Sequence, residues 1–253
     1  MILAAGEGRR MRPLTERQPK ALIRVLGTPL IDRILDNLAA AGVAEAVVNL
    51  HHLGARLRTH LAGRAAPRIR FSEEETLLET GGGVTKALPL LGENPFYAIN
   101  GDVLWLDGSI PALIRLADSW APERMDALLL LHPIVTAYGY DGPGDFAMDP
   151  QGRLSYRRQA APFVFAGLQI LSPKVFAGRQ AEPCKLLDIY LDLAQAGRLY
   201  GERHRGAWFH VGTPADLKTT ESILTGMGLT GMNSAGMNLT GMGLGAKETG
   251  LAT

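Results

Sequence analysis

Ala127-Leu128-Leu129-Leu130-Leu131 leaves no polar position on either side of an extended chain. A strand that is apolar at every residue has to be covered on both faces, and sheets covered on both faces are typically parallel ones flanked by helices. Glu45 to Leu50 and Phe96 to Asn100 have the same character, and Ile2 to Ala5 and Ile69 to Ser72 complete a set of short buried runs. Helical patterns separate them. Leu30, Ile31, Ile34, Leu35 and Leu38 recur at helical spacing before a stop at Gly42, Leu53 to Leu61 is amphipathic, and further helices are expected over Thr85 to Leu91 and Ile110 to Ser119. Residues 1–132 therefore predict an α/β, Rossmann-like three-layer sandwich around a mostly parallel central sheet.

From residue 133 the pattern changes. Phe146-Ala147-Met148 and Arg153-Leu154-Ser155-Tyr156 flank a Pro/Gly turn and predict a hairpin. Phe163 to Leu171 reads as a strand, Leu186 to Ala196 as a helix, and Trp208 to Val211 as a short strand. Thr213-Pro214 has the form of an N-cap followed by proline at the first helical position, opening a helix to about Leu224. No linker separates the halves 1–132 and 133–224, so 1–224 is expected to be one domain. Residues 225–253 cycle through Gly, Met, Leu, Thr and Asn and are read as a low-complexity, disordered tail; a Met-rich docking surface is the alternative.

Charge and cysteine content exclude several classes. Lys plus Arg is 26 against 25 Asp plus Glu, a net charge of +1, so no global field favours nucleic acid or an anionic membrane. One cysteine, Cys184, cannot form an internal disulfide framework or a Cys-rich zinc site. No apolar run reaches membrane-spanning length, and the first residues lack the basic flank and long apolar stretch of a secretory signal. The expected compartment is the cytoplasm.

The chemistry concentrates after the first strand, in Leu3-Ala4-Ala5-Gly6-Glu7-Gly8-Arg9-Arg10-Met11-Arg12-Pro13-Leu14-Thr15. Small residues let a flat ligand approach the main chain, and Gly6 and Gly8 permit backbone N–H groups to converge on an anion. Arg12 and Lys20 add positive charge at the carboxyl edge of the sheet, where such folds bind ligands. A base, ribose and polyphosphate suit this arrangement. A dinucleotide fingerprint fails because Met11 stands where its third glycine belongs, and a P-loop fails for lack of Gly-Lys-Ser/Thr.

This stretch, with Pro19-Lys20-Ala21-Leu22, Gly27-Thr28-Pro29-Leu30, Glu79-Thr80-Gly81-Gly82-Gly83, Asn100-Gly101-Asp102 and Trp208 to Pro214, resembles the sugar-1-phosphate nucleotidyltransferases. The short length and the Gly144-Asp145-Phe146 segment are most similar to the branch that acts on N-acetylmuramic acid 1-phosphate. The resemblance implies nucleotidyl transfer from an NTP, UTP in that branch, to a sugar 1-phosphate, with release of pyrophosphate, and a place in cell-wall (peptidoglycan) recycling. It makes 1–132 the nucleotide-binding half and 133–224 the sugar-binding half. It implies that Leu3, Ala4, Ala5, Gly6, Gly8, Glu79, Thr80 and Gly82 hold the nucleotide and that Asn100, Gly144 and Asp145 border the sugar. Asp102 would bind Mg2+, Arg12 would stabilise the leaving pyrophosphate, and Lys20 would sit at the reacting phosphates.

One position departs from the family. Trp208-Phe209-His210-Val211-Gly212-Thr213 carries His210 where the family has an aspartate that acts as second metal ligand. Mg2+ prefers oxygen, so the site uses one carboxylate plus substrate phosphates, or takes a softer ion such as Mn2+, or is impaired; a purely structural histidine is equally open. A mannose- or glucose-1-phosphate nucleotidyltransferase is the alternative within the chemistry, and a non-catalytic nucleotide-binding regulatory subunit the alternative outside it. NTP and sugar 1-phosphate are the expected partners, without nucleic acid or membrane, in a monomer or small homo-oligomer. His51-His52 and Glu73-Glu74-Glu75 are read as solvated loops, Gly144-Asp145 equally as the turn into the hairpin, and Cys184 as a buried small residue.

Overall fold

The computed structural model describes residues 1–157 and 159–229. The first half runs β1 (Ile2–Leu3), β2 (Arg24–Val25), β3 (Thr28–Pro29), α1 (Leu30–Ala40), β4 (Glu45–Leu50), α2 (Gly54–Leu61) and β5 (Arg68–Glu73). It continues with α3 (Glu79–Leu91), β6 (Phe96–Asn100), β7 (Leu104–Leu106), α4 (Ala112–Ser119) and β8 (Ala127–Pro133). The second half contains β9 (Phe146–Met148), β10 (Leu154–Tyr156), β11 (Phe163–Leu171), α5 (Leu186–Gln195), β12 (Leu199–Arg203), β13 (Ala207–Phe209) and α6 (Pro214–Gly226).

Among the described residues a nine-stranded sheet runs β10-β9-β11-β6-β1-β4-β5, with β8 beside β11 and β12 beside β8. β6, β1, β4 and β5 are mutually parallel, and so are β8 and β12. β11 is antiparallel to both β6 and β8, and β9 is antiparallel to β11 and β10. The sheet is thus mixed, with a parallel nucleus, and the predicted hairpin is its β9–β10 edge.

The all-apolar run of β8 has a simple explanation in side-chain alternation. Leu128 and Leu130 belong to the core under α1, α2 and α4, with Ile2, Val48 and Ile99, whereas Leu129 and Leu131 face the opposite layer with Ala98, Phe176 and Ile189. All four leucines are at most 2% exposed. At roughly 1.5–3 kcal/mol per fully buried Leu side chain, covering both faces is what fixes the three-layer arrangement. A third cluster joins Met11 and Leu30 to Leu104, Phe209, Val211 and Leu224, which fastens α6 and the β7–β13 pair to the first loop.

α6 starts as its sequence requires. Thr213 Oγ1 accepts the Asp216 N–H at 3.2 Å and Asp216 Oδ2 accepts the Thr213 N–H at 2.8 Å, a reciprocal capping box. The helix continues to Gly226, past the expected end at Leu224, because Met227 and Leu229 still pack against the third cluster. The remainder of the expected tail, from residue 230, lies outside the described residues.

Candidate active site

β1 is only two residues long and lies between β4 and β6, so its carboxyl end opens directly into the small-residue loop. Leu3, Ala4, Ala5, Gly6 and Gly8 wall a cavity of about 360 Å³. Gly8 has φ +62°, and a Cβ there would lie 2.9 Å from Thr15 Cγ2 and 3.0 Å from Lys20 Cβ. Glycine is what allows the later loop to fold back and deliver Lys20 to the same cavity. The opposite wall is tied on by two buried side chains. Asn49 Oδ1 accepts the Ala4 N–H at 2.6 Å, Asn49 Nδ2 donates to Glu74 Oε1 at 2.7 Å, and Glu74 Oε2 accepts the Leu78 N–H at 3.0 Å. Glu74 is therefore not the solvated loop residue its charge run suggested: it is 5% exposed and bridges two walls of the cavity.

Asp102 sits just past the end of β6, beside the first loop. Gly101 makes this possible, since its N–H donates to Leu3 O at 2.8 Å and a Cβ would lie 2.9 Å from that same oxygen. Asp102 Oδ2 accepts from Lys20 Nζ at 2.6 Å, with the lysine side chain 13% and the aspartate side chain 40% exposed. Lys20, expected to face substrate phosphates, thus has a protein partner, and the contact occupies one of the two Asp102 carboxylate oxygens.

Several residues depart from their expected placement. Arg12 does not line the cavity, whereas Arg10 does, together with Lys20 and Asp102. The cause is the single helical turn Arg9–Met11, which buries Met11 and aims the residue before it at the cavity, while Arg12 leaves the turn extended. The Glu79–Gly83 segment is not a loop ahead of a helix but the first turn of α3 itself. Glu79 and Thr80 line the cavity, but Gly82 does not. The N–H groups of Gly81 and Gly82 donate to Cys184 O at 2.8 and 3.3 Å, and a Cβ on Gly82 would lie 2.1 Å from Glu182 O. These glycines serve close packing of α3 against the segment before α5. Cys184 is part of that contact and half-buried, and burial pushes its thiol pKa up.

Two neighbouring cavities share walls with the first. One, of about 300 Å³, lies towards α5 and shares Glu79, Thr80 and Asn100 with it. The other, of about 220 Å³, shares Arg10, Lys20, Asn100 and Asp102, and reaches His210. Asn100 thus stands where all three meet. Asp145 lines both smaller cavities, with Oδ2 accepting the Phe165 N–H at 2.8 Å and burial raising its pKa. Gly144 does not line them; its φ of +77° and close approach to Ala161 O make it the turn that places Asp145.

His210 lies one residue beyond β13. Its N–H donates to Tyr138 O at 2.9 Å and its ring packs edge-on to Tyr140 at 5.9 Å. Burial, reinforced by Arg10 and only partly offset by Asp216, holds its pKa below the usual histidine range. A neutral imidazole therefore replaces a negative charge here. Among the described residues no cluster of three or more His, Cys, Asp or Glu side chains could hold a metal ion. Mg2+ does not require one, because it is commonly bound through one or two carboxylates plus substrate phosphates. Asp102, partly exposed at the rim of two cavities, has the chemistry to be such a carboxylate.

Signals for the missed residues were faint. Arg10 was one of three arginines in four residues, and Asn49 reads as an ordinary member of an apolar strand. The ensemble can bind a flat base over small residues, surround a polyphosphate with Arg10 and Lys20, and seat a second ligand in the adjoining cavity. None of the helices among the described residues is long and apolar enough to cross a membrane.

Comparison with known proteins agrees with that chemistry. Residues 1–225 match the family model described as Nucleotidyl transferase. The chain is 42% identical over 221 residues to N-acetylmuramate alpha-1-phosphate uridylyltransferase of Caulobacter vibrioides, covering 85% of this chain and 91% of that protein. It is 38% identical over 228 residues to the protein of the same description from Neisseria meningitidis serogroup B, covering 88% and 96% respectively. A solved structure of UDP-glucose pyrophosphorylase with UDP-glucose superposes with a TM-score of 0.69 at 16% identity, covering 89% of this chain and 97% of that one, which bears on the fold alone.

Proposed function

Because the chain belongs to the nucleotidyl transferase family, we propose that it transfers the uridylyl group of UTP to N-acetylmuramic acid α-1-phosphate, giving the UDP-sugar and pyrophosphate. The observation that supports this most is the pair of cavities that meet at Glu79, Thr80 and Asn100, with Lys20 and Asp102 lining the first. A nucleotide in the larger cavity and a sugar phosphate in its neighbour would bring an attacking oxygen and the α-phosphorus to the same place.

In the transfer, a phosphate oxygen of the sugar 1-phosphate forms a bond to the α-phosphorus, and the bond to the β-phosphate bridge breaks. Pyrophosphate carries away the electron pair. Such a reaction needs in-line positioning and neutralisation of charge rather than a covalent nucleophile. The Leu3–Gly8 loop holds the base and ribose, Lys20 lies against the reacting phosphates, and Asn100 positions the sugar phosphate. Arg10 takes the pyrophosphate side, a role the family resemblance suggested for Arg12. Asp145 accepts a sugar hydroxyl. Asp102 would hold Mg2+ jointly with the triphosphate, and the ion, when bound, supplies neutralising positive charge. His210 adds no negative charge to that site but offers a nitrogen that suits Mn2+. Residues 1–132 serve the nucleotide and 133–224 the sugar, in a single domain acting in the cytoplasm on recycled cell-wall sugar.

The test is pyrophosphate release across UTP, GTP, dTTP and CTP against a panel of sugar 1-phosphates, each with Mg2+ or Mn2+. UTP with N-acetylmuramic acid α-1-phosphate should give the highest kcat/KM. A higher value for another pair would replace this assignment, and nucleotide binding without any turnover would overturn it.

A further inference from the structure

The cavity beside α5 differs in character from its neighbour. Phe146, Phe165, Leu186 and Leu187 form much of its wall, together with Tyr156 and Tyr190. Tyr190 is buried, and its hydroxyl donates to Gln169 Oε1. Asp145 and Glu79 bring negative charge to the wall, and Lys185 is the sole cationic side chain among the described residues that line it. Arg10 and Lys20 face the other two cavities, with Lys20 held by Asp102.

Lys185 is also placed with unusual firmness for an exposed lysine. On one side, Cys184 O accepts the Gly81 N–H at 2.8 Å; on the other, the Leu186 N–H donates to Thr80 Oγ1 at 2.9 Å. The backbone of Lys185 is thereby pinned between the first turn of α3 and the start of α5, while its side chain remains exposed at the cavity. A side chain with its backbone fixed and its ammonium group accessible suits a ligand group projecting from the main body of a sugar.

N-acetylmuramic acid differs from N-acetylglucosamine by a lactyl ether on O3, which adds a methyl group and one carboxylate. Against a largely apolar wall, a carboxylate is disfavoured unless a cation or hydrogen-bond donors meet it. An ammonium–carboxylate contact is charge-assisted and stronger than a neutral one. We propose that Lys185 recognises the lactyl carboxylate of the sugar substrate and so selects N-acetylmuramic acid 1-phosphate over the same sugar without that ether. The assignment rests on the function proposed above.

The experiment measures, in the full chain, the KM for UTP together with two sugar constants: KM for N-acetylmuramic acid α-1-phosphate, and Ki of N-acetylglucosamine α-1-phosphate as a competitor. Lys185→Ala should raise the former by about tenfold or more while leaving the latter and the KM for UTP within about twofold. Lys185→Arg should keep most of the selectivity, and Lys185→Glu should lose more than the alanine variant. If Lys185→Ala shifts both sugars equally, or neither, Lys185 does not read the carboxylate, although the transferase assignment stands. If the wild-type protein fails to turn over N-acetylmuramic acid 1-phosphate while using another sugar, both the substrate assignment and the role of Lys185 fall.

Discussion

Lys20 and Asp102 neutralise each other at 2.6 Å while facing the cavity where a triphosphate would bring several negative charges. Removing the carboxylate charge should therefore damage reaction more than architecture. Asp102→Asn is expected to lower kcat by at least about a hundredfold, on the scale of losing an oriented electrostatic contact, with Tm nearly unchanged. Pyrophosphate release and thermal unfolding on the same preparation check both halves. The two arginines give a sharper contrast. Arg10→Ala should reduce kcat/KM for UTP by about tenfold or more, a charge-assisted phosphate contact being lost, whereas Arg12→Ala should stay within about threefold. The reverse order would return the pyrophosphate contact to Arg12. That the small-residue loop after β1 walls a cavity, and that Asp102 follows a strand end, was legible in the sequence. The sequence could not show that Arg9 and Arg10 line the cavity while Arg12 does not, because that depends on one turn of helix that buries Met11. Glu74 was misleading for a similar reason. Three adjacent glutamates look solvated, yet Asn49 and the Leu78 N–H hold one of them inside.

At the level of elements, the strands with the strongest apolar runs and the amphipathic helices were legible, since burial on one or two faces writes itself into periodicity. The pieces that escaped detection are short or stand at edges. β7 has three residues, and β12 mixes Gly201, Glu202 and Arg203 into an edge strand that needs apolar residues only at Leu199 and Tyr200. The start of α3 was misplaced because three glycines resemble a loop, whereas here Gly81 and Gly82 permit the helix to touch the Glu182–Lys185 backbone and Gly83 makes room for Glu74 and Asn49. Gly82→Ala tests that reading. Its Cβ would lie 2.1 Å from Glu182 O, so one of the two segments must move. Unfolding free energy should fall by roughly 2 kcal/mol or more, within the range for overpacked sites, although alanine is the better helix former. Denaturant titration decides it, and a neutral or stabilising effect would show that the contact yields easily.

Across the whole molecule, acid sensitivity should originate at two buried histidines. His132 on β8 and His204 after β12 are 2% and 3% exposed, with ring centroids 5.6 Å apart. Burial lowers both pKa values, that of His132 to about 4, and His132 Nδ1 has no hydrogen-bond partner among the described residues. Both rings are neutral in the folded protein near pH 7. The unfolded chain takes up protons near about 6.5, so stability is complete above that value and declines as pH falls from there towards 4. The His132 contribution is on the order of 3 kcal/mol. Tm measured against pH should show this decline in the wild type and a shallower one in His132→Phe; identical profiles would remove His132 from the account. The junction of the cavities has a different consequence. Since Glu79, Thr80 and Asn100 form walls of both the 360 Å³ and 300 Å³ cavities, one rigid molecule that spans the junction would reach both at once. Once half of it is seated, the other half is held at a high effective concentration, which multiplies affinity without a new contact. A bisubstrate inhibitor that joins a uridine moiety to a carboxylated sugar should therefore outbind either fragment, and its advantage should vanish when the tether is too short to cross from one cavity to the other.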